Sequence, residues 1–348
     1  GAPYVPSDNM EPEIDEWVQM IDHQGNIIEE TRPQKRYSSV EVKKKQIVEI
    51  AKYLSEIAEE EHKIAKPLWL PEIPAMITVK ELENKYEYSS DMYLNPIIGE
   101  EDIPYDQEQK LLTLPLTEKG NAICYGIAGS GKELFVTTVV YSLYQHHNSR
   151  ELNAYILDFG AETLKMFEKA PQTGGVLIAG EDERIRNLFA YLKKEIIRRK
   201  KLLSETGMDY LTNKKKADLE FSDIVVVINN YTNFIEQYEE LEDALTSLTR
   251  DCTKYGIYFV VTCISQSGIR FRLQQNFSQV FVLQQNDKSD YTAILGNTGG
   301  VYPSLLKGRG ICRSVDVHEF QTAHIAKSEN TADEIRKFCK KLREQDHG

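Results

Sequence analysis

The sequence predicts an α/β fold in which a mainly parallel sheet is flanked by helices and preceded by a helical region. Short apolar segments rich in β-branched residues alternate with helical stretches from about residue 106 onward. Most of these segments are continuously apolar, which is typical of parallel strands because they are buried on both faces. Strands are predicted at residues 122–125, 154–157, 176–179, 224–228, 258–263, 279–283 and 310–313.

Helices are predicted where apolar residues recur at helical spacing with charged residues between them. The first, at residues 38–66, ends before Pro67, because proline cannot continue the backbone ladder of a helix. A short helix at 79–86 and a strand with a turn at 95–102 follow it. Further helices are predicted at residues 132–146, 184–205, 234–251, 290–295 and 331–343.

We divide the chain into four parts, and the main boundary is the change of pattern near residue 106. Residues 1–35 are rich in proline and acidic residues, and we interpret them as a tail or linker. Residues 36–105 form a helical linker region. Residues 106–326 carry the α/β domain with the phosphate-binding motif, and residues 327–348 a charged C-terminal helix and tail.

The composition is that of a globular protein, since the 348 residues are 41% hydrophobic and 28% charged. The formal net charge of −12 argues against a general nucleic-acid binder, because such proteins neutralise phosphates with lysine and arginine. The five cysteines contain no C-x-x-C pair, which favours a reduced compartment. No apolar run approaches the ~18 residues that a membrane span needs.

Residues 126–133 match a phosphate-binding loop in every fixed position but the last. The pattern G-x-x-x-x-G-K-[ST] cradles phosphates with backbone N–H groups, directs its lysine at them and places a hydroxyl on Mg²⁺. A predicted strand precedes the loop and a predicted helix follows it, so a helix N-terminus would face the anion. The predicted nucleotide-binding residues here are Gly126, Ile127, Ala128, Gly129, Ser130, Gly131, Lys132 and Glu133.

Glu133 stands where the motif has its hydroxyl residue. A carboxylate cannot supply that hydroxyl, and it repels a bound triphosphate. It also complements the positive end of the helix dipole, which favours an empty loop. We therefore expect ATP to bind weakly or not at all, and Mg²⁺ to bind only together with ATP.

The predicted strand at 224–228 runs into Asn229 and Asn230, where a Walker B motif would carry two acids. The first acid normally holds hydrated Mg²⁺, and the second activates the attacking water. Asparagine is uncharged and accepts no proton, so it performs neither task well. This strand end could instead be an ordinary loop and no Walker B motif at all. The two acids would still be missing, because no other apolar strand ends in them. We include both asparagines in the nucleotide site and predict no catalytic residue and no metal ligand.

Several segments, in order along the chain, resemble the FtsK/SpoIIIE-type ATPases, and in particular the multidomain coupling ATPase of type VII secretion systems (EssC, YukB and EccC). The resemblance covers about residues 70–325 and implies a RecA/FtsK-like P-loop fold. Residues 1–6 are similar to the closing stretch of a preceding ATPase domain. Besides the loop, the similar segments are Tyr155-Ile156-Leu157-Asp158-Phe159-Gly160 and residues 170–176, 192–201, 254–262, 269–277 and 290–296.

The resemblance implies a membrane-anchored parent ATPase with three such domains, of which the last has degenerate motifs. By this resemblance the chain is that third, C-terminal domain, on the cytoplasmic side of a bacterial membrane. The implied function is recognition of small helical WXG-class secretion substrates and regulation of the motor, with weak or no ATP hydrolysis. The implied partners are these substrates, other type VII components and the preceding ATPase domains. No nucleic acid is implied, and the membrane is reached only through the rest of the parent protein.

Two other functions stay open at the level of the sequence. An active ATP-hydrolysing motor domain would tolerate Glu133 and recruit acids from elsewhere. A DNA translocase fragment would use the basic residues at 193–201 and 214–216. On an amphipathic helix such residues usually form a solvated face, and the net acidity of the chain argues against DNA as a partner.

Overall fold

The computed structural model describes residues 21–27, 46–61, 70–216, 221–328 and 330–346. The chain divides into two compact units, Gly1–Trp69 and Leu70–Gly348. In the first unit, helix α1 covers Gln46–Glu60 and confirms the predicted helix over those residues. The remainder of the predicted 38–66 helix, apart from Glu61, and most of the predicted tail, including residues 1–6, lie outside the described residues.

The second unit contains one ten-stranded sheet. Every strand predicted from the sequence is present in it. Across the sheet the order is β2-β1-β10-β9-β8-β3-β7-β6-β4-β5. In chain order, strands β1 to β10 are Ile97–Ile103, Glu108–Thr113, Ala122–Tyr125, Leu152–Asp158, Thr173–Ile178, Asp223–Asn229, Ile257–Cys263, Gln279–Leu283, Arg309–Arg313 and Val317–Thr322.

Parallel and antiparallel pairing share this sheet. From β8 through β3, β7, β6 and β4 to β5, all neighbours run parallel. The strands β2, β1, β10 and β9 pair antiparallel with one another, and β9 joins them to β8. The predicted mainly parallel α/β fold is confirmed, and the antiparallel strands extend one side of it.

Helices cover both faces of the sheet. One core layer packs Phe135 and Phe281 together with Cys339 of the C-terminal helix, and the other contains Phe189 and Phe234. The central strands are buried on both faces for this reason, and their sequences are continuously apolar. Within the described ranges, no helix combines the length and the apolar character needed to cross a membrane.

Helices α2 to α11 are Val79–Lys85, Leu116–Lys119, Lys132–His146, Asp182–Thr206, Tyr210–Lys216, Tyr231–Gln237, Glu242–Asp251, Phe271–Gln274, Lys288–Leu295 and Thr331–Asp346.

The structure contains two strands and three short helices, α3, α6 and α9, that the sequence does not predict, and it divides one predicted helix in two. The sequence does not predict β2 and β10, because both carry several polar residues, as antiparallel strands with a partly solvated face do. The predicted helix at 234–251 is two helices, α7 and α8, with a 3-10 turn at Glu239–Leu241 between them. Tyr238 interrupts the helix with φ −131° and ψ 48°, and its hydroxyl donates to Asp182 at 2.5 Å. The sheet includes β1, which begins at Ile97 and corresponds to the strand predicted at 95–102.

A buried ionic cluster holds α5 against the segments that lead into β6 and β7. Arg199 is 1% exposed, and its guanidinium donates to Glu195 at 2.8 Å and to the carbonyls of Tyr255 at 2.8 Å and Ser222 at 2.7 Å. Hydrogen bonds from Arg198 and Arg199 lower the pKa of the Glu195 carboxyl to about 2. One side chain therefore ties a long helix to two central strands.

We expect Arg199→Ala to lower the free energy of unfolding by about 2–4 kcal/mol, because it removes the buried donor to two backbone carbonyls and one of the two arginines bound to the Glu195 carboxylate. Arg198→Ala is the matched control. Arg198 binds the same carboxylate, but its side chain is 54% exposed, so its loss should cost less than about 1 kcal/mol. Urea denaturation followed by circular dichroism measures both values, and equal losses would contradict the central position of Arg199.

Candidate functional site

The phosphate-binding loop follows β3 at the carboxyl edge of the parallel strands. Its first amide, Gly126 N, donates to the carbonyl of Cys263 on the neighbouring β7 at 3.0 Å. Helix α4 begins at Lys132, as predicted. Gly131, just before it, has φ 108°, a left-handed conformation that favours glycine. The loop therefore lies between a strand and a helix, the context that the sequence predicts.

A cavity of about 310 Å³ opens beside this loop. Seven of the ten predicted site residues line it, and they come from both the loop and the end of β6. The other three, Gly126, Ile127 and Ser130, belong to the loop but do not line the cavity. The lining residues are Ala128, Gly129, Gly131, Lys132, Glu133, Gly160, Ala161, Asn229, Asn230, Asn233, Ile264 and Lys307.

The side chain of Lys132 turns back onto its own loop. Its Nζ donates to the Ile127 carbonyl at 2.8 Å and also to the Gly126 carbonyl. Burial lowers the pKa of the Lys132 ammonium, and the two carbonyls replace part of the water that burial removes. A phosphate in the cavity has to compete with these carbonyls for the cation.

Glu133, on the first turn of α4, reaches the segment that follows β4. Its Oε1 accepts a hydrogen bond from the backbone N–H of Ala161 at 3.0 Å. Gly160 is packed closely beside it, since a Cβ added there would lie 2.9 Å from Glu133 Oε1 and 2.5 Å from Asn229 Nδ2. The carboxylate is therefore part of the cavity wall, and it places negative charge at the position of the motif that normally helps to hold Mg²⁺.

Asn229 is 1% exposed, and both ends of its amide are hydrogen-bonded. Its Nδ2 donates to Asp158 Oδ1 at 2.9 Å, and its Oδ1 accepts from the Thr262 hydroxyl at 2.9 Å. The Asp158 carboxylate also accepts the backbone N–H groups of Gly160 at 3.2 Å and Leu164 at 3.0 Å. The Asn229 amide thus belongs to a buried network and brings no charge for a metal ion.

Asn230 stands at the position where the predicted Walker B motif would carry its water-activating acid. Its backbone has φ 64°, a conformation that asparagine tolerates better than most residues. Its Oδ1 caps α7 by accepting from Asn233 N at 3.4 Å, and Asn233 Nδ2 donates to the Phe159 carbonyl at 3.1 Å. At this position the structure therefore has a neutral helix cap.

Sequence reasoning does not identify Asp158, Thr262, Asn233 or Lys307 as members of this site. The first two lie at or near the ends of predicted strands, and carboxyl ends of parallel strands meet at one edge of a sheet. That rule could have found them. Lys307 has no such signal, because it precedes the antiparallel strand β9.

The cavity can hold an anion but offers little to activate water. Backbone N–H groups at a helix N-terminus and two lysines favour phosphate. Glu133 is the one carboxylate among the lining residues, and it is hydrogen-bonded to Ala161. Across the part of the chain that the structure describes, no group of three or more His, Cys, Asp and Glu side chains could hold a metal ion.

Residues 80–298 match the FtsK/SpoIIIE family. A curated relative is the ESX secretion system protein EccC of Thermomonospora curvata. The two are 26% identical over 348 residues, which cover 92% of this chain and 26% of that protein. The chain thus spans about a quarter of the length of this relative.

Two solved structures of similar proteins have the same fold. EssC (ATPases 2 and 3) from Geobacillus thermodenitrificans superposes with a TM-score of 0.73 at 23% identity, covering 80% of this chain and 53% of that one. Thermomonospora curvata EccC (ATPases 2 and 3), in complex with a signal sequence peptide, superposes with a TM-score of 0.66 at 26% identity, covering 81% and 52%. These likenesses confirm the predicted RecA/FtsK-like P-loop fold.

We expect Asn229→Asp to lower the free energy of unfolding by about 2–4 kcal/mol at neutral pH, because the Asp158 carboxylate loses a donor and faces a second carboxylate. One carboxyl of such a pair holds its proton to a higher pH in the folded than in the unfolded chain. The loss of stability should therefore grow as the pH rises from 5 to 8.

Asn230→Asp makes the same chemical change one residue later, at a partly exposed helix cap, and should change stability by less than about 1 kcal/mol. Thermal and urea unfolding at several pH values measure both variants. An Asn229→Asp protein as stable as the unmodified chain at pH 8 would show that the network does not hold this site.

Proposed function

The chain belongs to the FtsK/SpoIIIE family, and we propose that it acts in type VII secretion as a degenerate, C-terminal ATPase-like domain. In this role it recognises secretion substrates and regulates the motor, with weak or no ATP hydrolysis of its own. Its similarity to EccC and EssC supports the assignment to that system. One observation carries the proposal: the loop and fold are retained, whereas the positions that organise metal and water hold Glu133, Asn229 and Asn230.

Weak or absent hydrolysis follows from the contacts of these three residues. Phosphoryl transfer needs ligands for Mg²⁺ and a group that orients or deprotonates the attacking water. The Glu133 carboxylate accepts from Ala161 N, and the Asn229 amide is used by Asp158 and Thr262. We therefore assign no catalytic residue and no metal ligand, we treat ATP as a weak ligand, and we expect Mg²⁺ not to bind in the absence of ATP.

Substrate recognition is supported by a relative with a bound peptide. Thermomonospora curvata EccC (ATPases 2 and 3) has been solved in complex with a signal sequence peptide. We propose that this chain likewise binds the C-terminal signals of small helical WXG-class substrates. An amphipathic helix lying in an apolar groove is the contact that such a segment favours. Peptide docking needs the fold and its surface and does not need turnover.

The proposed setting is the cytoplasmic side of a membrane-anchored parent protein, next to its preceding ATPase domains and other type VII components. Nucleic acid is not a proposed partner, since the chain has a net charge of −12. Two residues of the basic segments also have structural roles. Arg199 is buried, and Lys214 donates to the buried Asp223 carboxylate.

We expect the chain to release phosphate from ATP and Mg²⁺ no faster than its Lys132→Ala variant does, because metal and water have no protein groups to organise them. A coupled phosphate-release assay measures both rates. Mg²⁺-dependent hydrolysis that Lys132→Ala abolishes would instead identify an active motor domain.

We expect calorimetry to detect binding of a WXG-class substrate's C-terminal signal peptide to the chain, and a scrambled peptide of the same composition to give no heat. Duplex DNA should show no salt-sensitive binding. Absence of peptide binding by folded protein would refute the docking role, and tight salt-sensitive DNA binding would favour a translocase.

A further inference from the structure

Lys307 reaches the phosphate-loop cavity from the segment before β9, far along the chain from the loop itself. It lines the cavity together with Lys132. The next residue, Gly308, donates its backbone N–H to the Ser130 carbonyl at 2.8 Å. A Cβ added to Gly131 would lie 2.5 Å from Gly308 N. The two backbones are therefore in direct contact, and Lys307 lies next to that contact.

The backbone around Lys307 is also held by β10. Gln321 Nε2 donates to the Lys307 carbonyl at 3.0 Å, and Thr322 N donates to the Gly308 carbonyl at 2.8 Å. Gly308 has φ 80°, and a Cβ there would come within 2.8 Å of Leu134 Cδ2 on α4. The segment is thus a fixed wall of the cavity, and no closing movement is needed to bring Lys307 there.

The Lys307 side chain is exposed, and no carboxylate of the described residues forms an ion pair with it. Lys132, in contrast, donates to two loop carbonyls. Inside the loop, the Ser130 hydroxyl is buried and has no hydrogen-bond partner among the described residues. Among the described residues, the cavity wall therefore carries a lysine with no carboxylate partner, whereas the Ser130 hydroxyl lies within the loop and does not line the cavity.

This arrangement suits phosphate in the absence of a metal ion. In an active loop, Mg²⁺ offsets part of the phosphate charge and is held by a hydroxyl and an acid. Here Glu133 and Asn229 occupy those positions, while Lys307 adds a second positive charge to that of Lys132. A lysine ammonium binds phosphate as a point charge and needs no special geometry.

We propose that this cavity binds the phosphates of a nucleoside di- or triphosphate without a divalent metal, and that Lys307 supplies the positive charge that Mg²⁺ supplies in active ATPases. The inference rests on the proposed loss of metal chemistry in this domain. It adds that the nucleotide binds without a divalent metal ion. A bound nucleotide contacts both the loop before α4 and the segment before β9, and so joins the parallel and antiparallel parts of the sheet.

Calorimetric titration of the 348-residue chain with ATP, in Mg²⁺ and in EDTA, tests this proposal. We expect ATP to bind at least as tightly in EDTA as in Mg²⁺. Lys307→Ala should weaken binding about tenfold, which is the loss expected for one charge-assisted contact, and Lys307→Arg should retain it. Glu133→Gln should strengthen binding, because it removes a negative charge from the cavity wall.

Lys254→Ala is the matched control, since Lys254 is an exposed lysine outside the cavity, paired with Asp251 at 3.2 Å; its loss should leave ATP affinity unchanged. The proposal is overturned if ATP does not bind in EDTA, if binding requires Mg²⁺, or if Lys307→Ala binds like the unmodified chain. These results leave peptide docking untouched. Conversely, Mg²⁺-dependent hydrolysis would refute the proposed function even if Lys307→Ala weakens binding, so the two failures are distinguishable.

Discussion

One buried amide joins the carboxyl ends of three neighbouring strands, and the candidate site depends on it. Asn229, at the end of β6, donates to Asp158 on β4 and accepts from Thr262 on β7. Asp158 lies directly opposite Asn229 in the parallel register of β4 and β6. A buried carboxylate is stable only when its oxygens are hydrogen-bonded. An amide can donate to Asp158 and accept from Thr262 at once, whereas an ionised aspartate could only accept.

This constraint makes an acid at position 229 unfavourable. With Asp158 buried beside it, an acid at position 229 would add a second negative charge to the same apolar surroundings. The segment after β4 is then held from two directions, because Asp158 accepts from Gly160 N and Glu133 accepts from Ala161 N. Glu133, and Asn229 through its hydrogen bond to Asp158, therefore stabilise the cavity wall.

The antiparallel strands provide the other wall. They extend the parallel sheet through β9 and return the chain to the phosphate loop, where Gly308 N meets the Ser130 carbonyl at 2.8 Å. Lys307 is placed at this junction, while Lys132 is engaged with carbonyls of its own loop. The positive charge of the cavity is thus divided between two parts of the sheet, which is the basis for proposing that the cavity binds phosphate without a metal ion.

The sequence by itself determined the parallel part of the fold and the identity of Glu133, Asn229 and Asn230 at the positions where an active motif carries a hydroxyl and two acids. The predicted strand at 122–125 and the predicted helix at 132–146 agree with β3 and α4 at every residue, because continuous apolar runs and a glycine loop are local signals. Only the tertiary structure decided that Asn229 meets Asp158, that Tyr238 divides a predicted helix, and that Lys307 faces the loop. These features are set by strand register and by the path of the chain after α10. Both depend on contacts between residues that are far apart in sequence.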